Sequence, residues 1–191
     1  MRVNMGIAAS YKRITPQKFS EIQNDTEAAA SFFKLNLDDL VFDFSNPQAM
    51  IAQRQKQRSD ERYFSLEKDW YALHFLLTGE SNLGDTQASP PLCNVVMGGT
   101  PTQFEAGYGF VRYLTLEEVR DVADALSQIS VEELKSRFNS TVFNAAEIYP
   151  NPSPGGWDEE EIESLFELYP KLVEFFQNAA KEGDIVLLSS D

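Results

Sequence analysis

The chain has 191 residues, 42% apolar and 12% aromatic, enough to bury one sizeable core and short for two, so a single domain over residues 1–191 is expected. Thirty acidic residues against sixteen basic ones leave a formal charge of −14, which repels phosphate backbones and anionic bilayers and argues against nucleic-acid and membrane-surface partners. One cysteine and one histidine exclude an intramolecular disulfide, a cysteine-rich metal site and any two-histidine zinc or iron motif. No metal or other cofactor is expected, an oxygen-only magnesium or calcium site being the one metal alternative that so acidic a chain leaves open, and the lone Cys93 fits a reducing, cytoplasmic setting.

No segment approaches the ~20 apolar residues of a membrane helix, and MRVNMGIAAS lacks the apolar core of a secretion signal. If Met5 were the true start, Met5-Gly6-Ile7-Ala8-Ala9-Ser10 would match an N-myristoylation pattern; a first β-strand over 7–11 is the simpler reading. Thr15-Pro16 places a capping hydroxyl before a proline at the first helical position and opens a short helix through Phe19 and Ile22. Asn46-Pro47 opens a polar surface helix over 48–57 in the same way. FFKLNLDDLVFDFS, between them, has no clean period and is left as loop with at most a short strand or helix. Arg54, Lys56 and Arg58 are followed at once by Asp60 and Glu61 and read as a solvated helix face.

LEKDWYALHFLLTG is the most apolar helix in the chain, with Leu66, Trp70, Leu73, His74 and Leu77 on one face, Ser65 capping its start and Gly79 its end. ESNLGDTQASPP is a turn-rich linker leading through LCNVVM to Gly98-Gly99. Residues 107–113 alternate as a strand, with Tyr108, Phe110 and Arg112 on one side and Val111 and Tyr113 on the other. Capping boxes at Thr115–Glu118 and Ser130–Glu133 start two helices, whose buried stripes are Leu116, Val119, Val122, Ala123 and Leu126, then Val131, Leu134 and Phe138. Residues 146–150 read as extended and NPSPGG as loop.

The acidic run WDEEEIE invites a metal-binding or protein-interaction interpretation. The simpler cause is a helix start, with Asp158 as cap and carboxylates facing the free amides of the first turn. The stripe continues through Ile162, Leu165, Phe166, Tyr169, Leu172, Phe175, Phe176 and Ala179, with a kink or break expected at Pro170. Gly183 ends that helix, and a buried strand follows over 185–188. The element order implies an α+β domain: a mixed sheet packed against several helices, with a long kinked C-terminal helix before the last strand.

MGIAASYKRITPQKF, LEKDWYALHFLLTG, the EIYP stretch and WDEEEIESLFELYPKLVEFFQNAAKEGDIVLL together resemble the YfbM-like family (domain of unknown function 1877) of small, mainly bacterial proteins. The resemblance covers nearly the whole chain. Lys68-Asp69-Trp70 before Leu73-His74-Phe75-Leu76-Leu77-Thr78-Gly79 is its most specific piece. It implies a compact α+β fold and a family start at Met5, leaving residues 1–4 as an upstream extension. It carries over no catalytic residues.

Chemistry must therefore come from the residues. There is no Gly-x-Ser-x-Gly elbow or phosphate loop, Gly107-Tyr108-Gly109 lacks the third glycine of a dinucleotide fingerprint, and NLDDLVFDFSN lacks the glycine and terminal glutamate of a calcium loop. His74 has Trp70 as its neighbour one turn earlier, while Asp69 lies about 140° around the helix. As a strut, its ring packs on Trp70 and a nitrogen bonds a backbone carbonyl or a carboxylate such as Glu147. As a reagent, His74 and Trp70 line a cleft with Tyr11, Arg112, Glu147 and Tyr149 as convergent polar groups, His74 acting as general base and Arg112 binding an anion. Arg112 is otherwise a strand-surface residue paired with an acid. Cys93 reads as a small buried thiol rather than a nucleophile beside His74.

A non-enzymatic binding or regulatory protein acting on a protein partner or small ligand is the preferred expectation. The alternatives are a small hydrolase or transferase using His74, and an accessory subunit.

Overall fold

The computed structural model describes residues 6–25, 60–82, 87–152 and 155–190. The 48–57 helix, the FFKLNLDDLVFDFS segment and the Arg54/Lys56/Arg58 face lie outside them. Among the described residues a five-stranded sheet and six helices make an α+β fold. In chain order these are β1 (Ala9–Ile14), α1 (Pro16–Asn24), β2 (Tyr63–Glu67), α2 (Trp70–Thr78), a 3-10 turn (Leu92–Val95), β3 (Thr100–Ala106), β4 (Gly109–Leu114), α3 (Leu116–Ser127), α4 (Val131–Ser136), α5 (Ser140–Ala145), α6 (Glu159–Glu182) and β5 (Ile185–Ser190).

The strand order is β2-β1-β5-β4-β3. Every pairing is antiparallel, so the sheet is not the mixed one expected. The last strand sits in the middle, which is why its run Ile185–Leu188 is apolar on both faces. One face of the sheet, bearing Tyr11, Val186, Leu188 and Leu114, meets the main core under α2, α3 and α6. The other, bearing Ile14, Ile185, Leu187 and Val111, packs on Phe19 and Ile22 of α1.

Local chemistry explains the elements that matched expectation. The Thr15 hydroxyl accepts from Lys18 N and caps α1. Thr115 and Glu118 form a complete capping box on α3. On α4 Ser130 accepts from Glu133 N, but the Glu133 carboxylate pairs with Arg137 instead of reaching back. Asp158 accepts from Glu160 N and Glu161 N, so the acidic run at the head of α6 is a helix start. The eight stripe residues named for α6 are its buried residues. Of the kink or break expected at Pro170, the break does not occur: α6 runs through it as one helix, the lost backbone bond being offset by burial of Tyr169 and Leu172 on either side. At its end Gly183 adopts φ 70°, and a Cβ there would meet nothing within 4 Å. Gly183→Ala should therefore cost only the left-handed backbone strain, about 1 kcal/mol, read as a lower urea midpoint at unchanged slope.

Three further readings are corrected. Leu66 does not begin α2 and Ser65 does not cap it: both lie in β2, which pairs with β1. The Ser65 hydroxyl instead accepts from Glu67 N and donates to Ala9 O. Glu67 then turns the chain at φ 50°, and α2 starts at Trp70. This helix is buried all round, not along one stripe, with seven of its nine residues inside. Finally, residues 146–150 form a turn, not an extended segment, since α5 precedes it and Trp157 Nε1 donates to Ile148 O at 2.6 Å.

Candidate functional site

Register across the sheet brings the relevant side chains together. Tyr11 on β1 and Arg112 on β4 both stand opposite Leu188 of the central β5. The three thus form one row on the same face. One step along the same face Ala9 stands opposite Ser190, and Phe110, two residues before Arg112, projects on that side too.

Above this row the 3-10 turn and the residues that follow it are held by three hydrogen bonds. Tyr11 Oη donates to Val95 O at 2.7 Å, Arg112 Nη2 to Val96 O at 2.8 Å and Arg112 Nη1 to Gly98 O at 2.7 Å. Gly98 is required by the packing of the turn on itself, since a Cβ there would lie 1.9 Å from Asn94 Oδ1. At the side, Trp70 Nε1 donates to Ile7 O at 2.9 Å, while its ring stacks on Tyr71 and lies 5.8 Å from that of Tyr149. Between floor, turn and Trp70 lies a cavity of 430 Å³, lined among others by Ile7, Ala9, Tyr11, Met97, Phe110, Arg112 and Ser190.

The electrostatics are those of an isolated cation in an apolar hollow. Arg112 is half-buried and forms no ion pair among the described residues, so the expected acid partner is not there. Its two carbonyl bonds fix the guanidinium without neutralising it. Burial lowers its pKa, with Tyr11 opposing. Tyr11 is 1% exposed, and burial pushes its phenol well above the ordinary 10.0, so it remains a protonated donor.

Of the six residues singled out from sequence, the fold gathers Tyr11, Trp70 and Arg112 around the cavity. Tyr149 stands behind Trp70, and Glu147 is exposed on the turn after α5. His74 is fully buried elsewhere in the core, and neither ring nitrogen has a hydrogen-bond partner among the described residues. The expected bond to a carbonyl or to Glu147 does not form. Burial lowers the imidazole pKa, with Glu80 acting against it. Cys93 is buried in the 3-10 turn beside Asn94 Oδ1 at 3.6 Å, and burial raises its thiol pKa, the wrong direction for a nucleophile. The cavity residues that escaped notice, Met97, Leu188 and Ser190, carry no local motif. Only the strand register assembles them.

Among the described residues no group of three or more His, Cys, Asp or Glu side chains is placed to hold a metal ion, and no helix is long and apolar enough to cross a membrane. The model of the Domain of unknown function (DUF1877) matches residues 5–189. Among solved structures, that of a protein of unknown function, YfbM from Escherichia coli, is similar at 21% identity, with a TM-score of 0.61 over 95% of this chain and 98% of that one. No curated protein matches the chain.

Proposed function

We propose, from the premise that this chain belongs to the DUF1877 family, that it is a non-enzymatic binding protein holding a small ligand in the cavity between the Arg112 row and the 3-10 turn. The observation that carries this reading is Arg112 itself, a fixed cation without an ion pair among the described residues, set in mainly apolar walls. Desolvating an unpaired charge costs free energy that the two carbonyl bonds recover only in part. A bound group that faces it would recover more. Apolar walls with few convergent polar groups are also the usual form of a small-molecule site, and 430 Å³ is within the usual range.

Binding rather than catalysis is supported by what surrounds the space. The described lining residues offer Arg112, Tyr11 and serine hydroxyls, but no carboxylate, imidazole or thiol to take a proton or attack a carbonyl. A small ligand is favoured over a protein partner because the groups converge inside a hollow. A cytoplasmic location remains part of this reading, resting on cysteine usage.

The test is an NMR screen of the full chain against a set of small organic acids, amines and alcohols, following the Trp70 indole N–H. Compounds that shift this signal and are recovered unchanged are the expected result. Hits that perturb only other parts of the molecule, or compounds that are converted, would overturn the proposal.

A further inference from the structure

We infer that the ligand of this cavity is a singly charged organic carboxylate with a flat apolar or aromatic body. This rests on the binding function proposed above and adds the chemical class. Charge comes first. The described lining supplies one cation, with no lysine and no second arginine, in a chain of formal charge −14. A phosphate dianion would bring two charges against one and meet the field of the rest of the molecule. A carboxylate brings one, and its two oxygens match the fork of a guanidinium. Two of the five N–H donors of Arg112 are given to Val96 O and Gly98 O, which leaves three for a ligand.

The walls specify the rest of the molecule. Trp70, Met97, Leu188 and Phe110 surround the space beside the guanidinium. Tyr108 and Phe110 are each 53% exposed, an unusual placing for two neighbouring large rings, and both belong to the cavity wall. Flat aromatic walls favour a flat partner. A free acid and the C-terminal residue of a peptide share this chemistry.

The experiment is a titration of the full chain with 3-phenylpropionate, 3-phenylpropanol, phenyl phosphate and the tripeptide Gly-Gly-Phe, read by the Trp70 indole N–H. The acid should bind at least about tenfold more tightly than the alcohol, which lacks both the charge and the second oxygen, and more tightly than the phosphate. Binding of 3-phenylpropionate alone assigns a free acid; equal binding of the tripeptide assigns a peptide terminus, and both uphold the carboxylate. In Arg112→Met the preference for acid over alcohol should vanish. Should that variant not fold, having lost the bonds to Val96 and Gly98, the wild-type comparison decides alone. An alcohol as tight as the acid, or a tighter phosphate, would overturn the carboxylate while leaving a binding cavity. If none of the four compounds moves the Trp70 signal, the carboxylate proposal falls, and the broader screen then decides whether the cavity binds anything.

Discussion

Replacing Asp184 by alanine is expected to destabilise the fold by about 3–5 kcal/mol, more than any surface substitution described here. Arg13 and Asp184 are 3% and 1% exposed. Arg13 Nε and Nη2 donate to Asp184 Oδ2 at 3.1 and 3.0 Å, and Nη2 also to Asn178 O at 3.2 Å. Arg62 approaches the same carboxylate at 3.3 Å, and Glu182 is 2.9 Å from Arg13 at the exposed rim. The cluster joins β1 to the turn between α6 and β5, so it fixes where the central strand begins. Removing Asp184 leaves the Arg13 guanidinium inside with only the half-exposed Glu182 as counter-charge. The double variant Arg13→Met, Asp184→Ala should recover much of the loss, because no charge is then left buried. Urea midpoints of the two single variants and the double variant test this. Strictly additive losses would show that the pair acts through shape alone.

Sequence patterns told most where the controlling interaction is local. The caps at Thr15, Thr115 and Asp158, the left-handed glycines at 79 and 183 and the apolar period of α6 all depend on residues within one or two turns of each other. β2 and β3 leave little local trace, for different reasons. YFSLE adjoins a strongly apolar helix whose pattern it continues, whereas TPTQFEA is a mostly polar edge strand with a proline, held by pairing with β4. α5 is six residues long, and only its Asn139 cap signals it. The cavity was half legible: Tyr11, Trp70 and Arg112 stood out as polar or aromatic groups on predicted elements. Their meeting depends on β5 inserting between β1 and β4, a tertiary fact with no local trace.

His74 is where the sequence reading and the fold diverge most, and its protonation should be visible in stability. The ring is fully buried with both nitrogens unpartnered among the described residues, so the charged form would have no hydrogen bond to receive it. Burial holds its folded pKa below the ordinary 6.5, the influence of Glu80 notwithstanding. The sign follows from linkage: below pH 6.5 the unfolded chain takes up a proton that the folded one refuses, so the contribution of His74 is complete above 6.5 and is lost as pH falls towards the folded pKa. The loss approaches about 1.4 kcal/mol per pH unit. Asp69, raised by burial, works in the opposite sense over the range of its own titration. The difference between wild type and His74→Leu therefore isolates the ring. The leucine variant should lack this acid slope and be more stable at neutral pH by about 1–2 kcal/mol, since two unpaired polar atoms leave the core with little change in volume. Urea midpoints from pH 7 to 5 check both effects. Equal slopes in the two proteins, or a ring that titrates near 6.5 by NMR, would mean that the imidazole meets water in the folded state and would reopen its use as a base.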